Sequence, residues 1–176
     1  MATWNSRGLR GSALEELINI TIDRYRDSKL ALIQKIPTPI KPINIDNNTR
    51  HITLAYFEMK STVDYIGVVQ GIPVCFDAKE CNVDTFSMQN IHAHQIEFME
   101  EFENQNGIAF IILYYTGKNE AYYIPFKDIK MFYDRAQNGG RKSFRFEEID
   151  KDYLISQNKG VPLHFLEMIN LDLSKR

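Results

Sequence analysis

The sequence predicts an α/β domain, and three observations carry that prediction. Thr62 to Val69 and Ile72 to Lys79 are two short runs rich in Val, Ile, Tyr and Phe, separated by Gln70-Gly71, the pattern of a tight β-hairpin. Gly107 to Tyr115 is a nearly uniform apolar run, the pattern of a strand buried on both faces. Around these, apolar residues recur at helical spacing after Ser12 and again after Ser87.

At 176 residues the chain suits a single domain, with a flexible start over 1–11. Its 44% hydrophobic and 25% charged residues exclude a disordered chain. There is no apolar run of membrane-spanning length and no signal-peptide pattern at the start, so the expectation is a cytoplasmic protein with no membrane partner. Cys75 and Cys81 are too few for a disulfide framework, and reduced thiols are expected. A net charge of −2 argues mildly against a generic nucleic-acid binder, although the distribution of charge matters more than its sum.

In chain order, Arg7 and Arg10 stand in the flexible start, available to phosphates. Ser12 to Glu15 matches a capping box, and Leu14, Leu17, Ile18, Thr21, Ile22 and Tyr25 form the core stripe of the helix that follows. Glu15 therefore has two readings, the glutamate of the cap or an acid reaching a nearby site. Leu30 to Ile36 reads as a strand stopped by Pro37 and Pro39, with 37–48 extended or turning rather than sheet interior. The stretch 44–60 is too long for an ordinary connection between strands, as functional projections are. After the hairpin, 82–87 reads as a loop ending at Ser87 as N-cap, and a helix runs to about Asn104. On one helix His92 and His94 would diverge and could not share an ion, which leaves at least one as a hydrogen-bonding or phosphate-contact residue. A strand over 121–126 and a short helix over 127–134 follow. The segment 135–145 then holds Arg135, Arg141, Lys142 and Arg145 with no acid, a candidate phosphate-binding patch.

The chemistry is concentrated in the hairpin. A two-residue turn at Gln70-Gly71 puts Val69 opposite Ile72 and Asp64 opposite Asp77. Alternation sends Cys75, Asp77 and Lys79 to one face of the second arm, and Val74, Phe76 and Ala78 to the other. Two like charges facing across a sheet are destabilising unless a proton or a cation lies between them. An oxygen-donor pair suits Mg²⁺, which keeps several waters and also takes a phosphate oxygen. In metal-assisted phosphodiester hydrolysis, Asp64 and Asp77 would hold the ion, and Lys79 would orient the attacking water or stabilise the charge that develops on phosphorus. The plainer reading is a surface hairpin with two solvated carboxylates.

The order of helix with glutamate, strand, hairpin with D…DxK, helix and central strand resembles the PD-(D/E)xK nuclease superfamily. Within it the chain is similar to the RecU family of Holliday junction resolvases, through LEELIN (14–19), KIPTPI (35–40), TVDYIGVVQG (62–71), FDAKE (76–80), FSMQNIHAHQIEFM (86–99) and GGRKSFR (139–145). The resemblance implies a restriction-endonuclease-like mixed central sheet flanked by helices, with a stalk over about 41–60 projecting between the first two strands. It implies an intertwined homodimer that resolves four-way junction DNA by paired symmetric nicks, with Mg²⁺ as cofactor and Mn²⁺ as a substitute. Asp64, Asp77 and Lys79 are its catalytic residues, joined by Glu15 and Gln95; Asp64, Asp77 and Gln95 form the metal shell. Gln95 also reads as a core amide satisfied by backbone. Arg7, Arg10, Lys35, Arg50, Lys60, Arg135, Arg141, Lys142 and Arg145 are the DNA-binding set, and the strand-exchange recombinase is a further partner. Two alternatives stand beside this one: a noncatalytic junction-binding or recombinase-modulating protein, and a general phage or restriction-type nuclease on the same core.

Overall fold

A computed structural model describes residues 13–57, 62–157 and 160–176. Helix α1 (Ala13–Asp27) buries Leu14, Ile18, Thr21, Ile22 and Tyr25, the stripe its spacing predicts, and leads into β1 (Ala31–Lys35). The next two strands, β2 (Ile40–Ile45) and β3 (Ile52–Phe57), pair only with each other, so the expected stalk is a two-stranded ribbon inserted between β1 and β4 (Tyr65–Val69). The stretch 37–48, expected to be extended or turning rather than sheet interior, supplies the extended strand β2 and the start of the ribbon's turn. Pro42 sits within β2, which is tolerated because the ribbon has no interior strand and its register shifts beside that proline. Ile43, Leu54 and Phe57 are among its exposed apolar residues.

The β4 strand turns into β5 (Ile72–Cys81) with Val69 opposite Ile72 and Tyr65 opposite Phe76, the register read from the sequence. Both turn residues have positive φ, 47° at Gln70 and 92° at Gly71, as a two-residue turn matched to strand twist requires. A short strand β6 (Thr85–Ser87) follows where a loop was expected, because β9 (Ser143–Arg145) lies alongside it. Ser87 does accept a hydrogen bond from Gln89 N–H (3.3 Å), but it caps a 3₁₀ turn over Met88–Asn90. The helix proper, α2 (Ala93–Asn104), begins five residues later than Met88.

Strands β7 (Ile108–Tyr115) and β8 (Glu120–Pro125) complete a five-stranded mixed sheet in the order β1-β4-β5-β7-β8, with β5 and β7 parallel. Helix α3 (Phe126–Gln137) and, after β9, helix α4 (Leu166–Ser174) close the layers. One core joins α1 and α4 to Val74, Phe76, Phe110 and Ile112. The other joins α2 and α3 to Cys75, Ala109, Ile111 and Leu113. Successive residues of β5 and β7 thus go to opposite cores, which explains the uniform apolar run of β7. The architecture is the mixed sheet flanked by helices that the sequence predicts.

Candidate active site

Two short elements meet where the β4–β5 ladder ends. Asp77 follows Cys75 onto the α2 face of β5 and is fully buried. Asp64 lies one residue before β4, in the continuation of the same register. Its N–H donates to Asp77 Oδ1 (2.8 Å), and the Ala78 N–H donates to Asp64 Oδ2 (3.0 Å), so each carboxylate takes an amide from the opposite strand where the regular ladder stops. Asp77 Oδ2 is ion-paired with Lys79 Nζ at 2.8 Å and accepts a hydrogen bond from the Gln95 side-chain amide. Among the described residues no donor reaches Asp64 Oδ1. Burial first, and then the Asp77 charge, push the Asp64 carboxyl above the usual range; the Ala78 amide and Lys79 pull against them, and Glu15 adds a smaller upward push.

Gln95 is buried on the first turn of α2 and bridges two partners. Its oxygen accepts the His92 N–H (3.0 Å) and its nitrogen donates to Asp77. Turning the amide over would set oxygen against carboxylate and NH₂ against N–H, so the network selects one orientation. Gln95 thereby reaches the site and also satisfies a backbone amide, joining the two sequence readings. As placed it offers Asp77 a donor; it does not offer a cation an oxygen.

Glu15 is paired with Lys35 (2.7 Å), within electrostatic range of Asp64. The Ser12 half of the expected capping box lies outside the described residues. The acceptor seen at this helix start is Glu80, whose Oε1 takes the Leu14 N–H at 3.0 Å. Sequence reading passed over Glu80. Its only signal was its place, one residue past Lys79 and therefore on the α1 side of β5.

The cationic residues separate into groups. Arg7, Arg10 and Lys60 lie outside the described residues. Lys35 is held at the site by Glu15, and Arg50 stands at the turn of the stalk ribbon with φ 57°. The segment 135–145 has no acid of its own, but Glu148, from a 3₁₀ turn just beyond it, pairs with two of its cations. Arg135 donates to Glu148 Oε1 (2.6 Å) and to the Ser143 carbonyl (2.7 Å), and Arg141 pairs with Glu148 Oε2 (3.3 Å). Lys142 and Arg145 form no ion pair among the described residues. The divergence expected of His92 and His94 does not occur. His92 is the extended N-cap residue rather than part of α2, and the two rings stack with centroids 5.4 Å apart.

Among the described residues no group of three or more His, Cys, Asp or Glu is arranged to hold a metal. A carboxylate pair with one oxygen lacking a donor fits an ion that completes its shell with waters and a phosphate oxygen, as Mg²⁺ does. It does not fit an ion that needs a full protein cage. No helix among the described residues is long and apolar enough to cross a membrane.

The family model for Recombination protein U matches residues 9–171. The chain belongs to the RecU family. Its relatives in that family include proteins named Holliday junction resolvase RecU. The one from Geobacillus sp. (strain WCH70) is 39% identical over 82% of this chain and 74% of its own length. That from Listeria monocytogenes serotype 4a (strain HCC23) is 38% identical over 93% and 84%. That from Bacillus cereus (strain B4264) is 41% identical over 81% and 73%. The solved structure of Hjc, a Holliday junction resolvase from Archaeoglobus fulgidus, shares 8% identity over 66% of this chain and 78% of its own, with a TM-score of 0.40. The RecU-matched span contains all five candidate catalytic residues.

Proposed function

We propose that this RecU-family chain is a Mg²⁺-dependent endonuclease that resolves four-way DNA junctions by paired symmetric nicks, acting as a homodimer in the cytoplasm. The observation that carries the reading is the convergence of Asp64, Asp77 and Lys79 at the end of one hairpin, with Lys79 Nζ 2.8 Å from the buried Asp77 carboxylate. The names of the relatives supply the substrate class. Mg²⁺, with Mn²⁺ as a substitute, would be held by Asp64 and Asp77 and would supply Lewis acidity toward the phosphate and a water acidified enough to attack. Asp64 accepts the ion in its deprotonated form. Gln95 fixes the rotamer of Asp77 and spends its own oxygen on the His92 N–H at the cap of α2. Lys79, drawn to Asp77 from the same face of β5, places a positive charge beside the phosphate as negative charge develops there. Glu15 sets a further negative charge at the rim and holds Lys35 there, beside the path of a DNA strand.

The stalk ribbon supports junction selectivity, since it projects from the sheet edge next to Asp64 and carries Arg50 at its turn. The family resemblance adds a strand-exchange recombinase as a second partner. The test is nicking of a labelled four-way junction, and of linear duplex with the same sequence, by wild type and Asp64→Asn, with Mg²⁺ and with chelator. Paired nicks in the junction alone, lost with Asp64→Asn or chelator, are the expected result. A confirmed dimer that leaves the junction intact at low salt would refute the reading, and equal cutting of both DNAs would point to a general nuclease.

A further inference from the structure

A cleft of about 510 Å³ opens between the start of α2 and the end of α3, beside the loop that leads into β9. Its floor is apolar, made by the buried side chains of Met88 and Ile91, and one wall is the half-buried ring of Tyr133. Its rim is polar and exposed: Gln89 and Gln137 face it with amides, and Lys142 brings a cation. The Lys142 carbonyl accepts the Met88 N–H (3.1 Å), which ties the cationic loop to the floor.

The cleft is linked to the candidate active site through hydrogen bonds. His92, which also lines it, donates its N–H to Gln95, and Gln95 donates to Asp77. The cleft therefore lies two hydrogen bonds from the buried carboxylate, on the same face of the sheet. A phosphate alone would make no use of an apolar floor and an aromatic wall. A nucleobase would, because its faces are apolar and stack on rings while its edges take hydrogen bonds from amides. Lys142 is then placed for the phosphate attached to that base. The volume suits a nucleoside-sized group.

We propose that this cleft seats one base unstacked from the strand being cut, next to the scissile phosphate, and so determines where in a junction the chain nicks. The inference rests on the nuclease reading, which supplies the strand and the phosphate. It assigns Gln89, Gln137 and Tyr133 to choice of cleavage position, and none of them to the chemistry.

The test is a binding scan that needs no cleavage. Four-way junctions carrying one abasic position, walked through the central nucleotides, are titrated with the full chain in chelator. At one position wild-type affinity falls about tenfold, the scale of one lost base–aromatic stack. Ala136→Phe, which fills the cleft from α3, removes that dependence, as does Ala93→Tyr from the opposite wall; the second variant serves if the first fails to fold. With Mg²⁺ both variants still nick, at positions spread more evenly than those of wild type. A wild type indifferent to every abasic position, or folded variants that keep the same dependence, overturns the inference. So does complete loss of nicking in both folded variants, which would place the cleft in the chemistry itself. The unmodified junction is bound and nicked in the same series, so failure of the nuclease reading appears there, whereas failure of base seating appears in the abasic scan alone.

Discussion

The backbone amide of Asp64 donates to the carboxylate of Asp77 at 2.8 Å, so the two acids are joined by a hydrogen bond from one to the other before any cation is considered. This ties the Asp77 carboxylate to the strand backbone at Asp64. Folding also buries Asp64 and brings a second carboxylate close to it, and these two effects, burial first, raise its pKa.

Asp64→Asn is therefore expected to stabilise the metal-free protein while removing activity. In wild type the folded state holds the Asp64 proton to a higher pH than the unfolded chain, whose carboxyl titrates at about 3.9. Stability consequently falls as pH rises from the unfolded value through the raised folded one, and the full penalty is present above it. Asparagine can still accept from the Ala78 amide but carries no charge. Urea melts in chelator at pH 4 and pH 7 should show little difference between the two proteins at the lower pH and a clear advantage for Asp64→Asn at the higher.

Removing the Gln95 amide leaves the buried Asp77 oxygen with one donor fewer and the His92 N–H without its acceptor. Gln95→Ala should cost about 1–3 kcal/mol in stability, the range for an unmade buried hydrogen bond. Single-turnover nicking should slow by about 10–100-fold, as when a metal ligand loses its orienting partner. Gln95→Glu is expected to nick more slowly still at neutral pH, because it sets a carboxylate against Asp77. Chemical denaturation and nicking kinetics read the two effects separately.

The four basic residues of 135–145 should not behave alike. Arg135 is committed to Glu148 and the Ser143 carbonyl, so Arg135→Ala should lower thermal stability and leave the salt dependence of junction binding nearly unchanged. Lys142→Ala should do the reverse, and flatten the slope of log affinity against log salt by about one. Junction titrations at several salt concentrations, paired with thermal melts, would distinguish them.

Glu80 links the strand that carries Lys79 to the start of the helix that carries Glu15. Glu80→Ala should destabilise the protein by about 1 kcal/mol, the usual value of an N-terminal helix cap. Glu80→Gln keeps an acceptor oxygen and should recover most of it. Equal melts for the two variants would show that the Leu14 contact contributes little.

Much of the site was legible in the sequence because it is local. The turn residues, the period-two alternation and the short separation of two strands determine the hairpin register, and the register alone brings Asp64 and Asp77 together. The α1 stripe and the uniform run of β7 were legible for the same reason: a periodic pattern records which face is buried. What the tertiary structure decided involves partners distant along the chain or ends of elements that neighbours define. Glu80 meets Leu14 across 66 residues, and Glu148 meets Arg135 by folding back through a 3₁₀ turn. The strand β6, paired with β9, and the 3₁₀ turn after it occupy 85–90, so α2 starts only at Ala93 with His92 as its cap, and Gln95 on its first turn meets Asp77. Periodicity carries no information about such contacts, because they depend on which surfaces meet once the sheet and its two helical layers have closed.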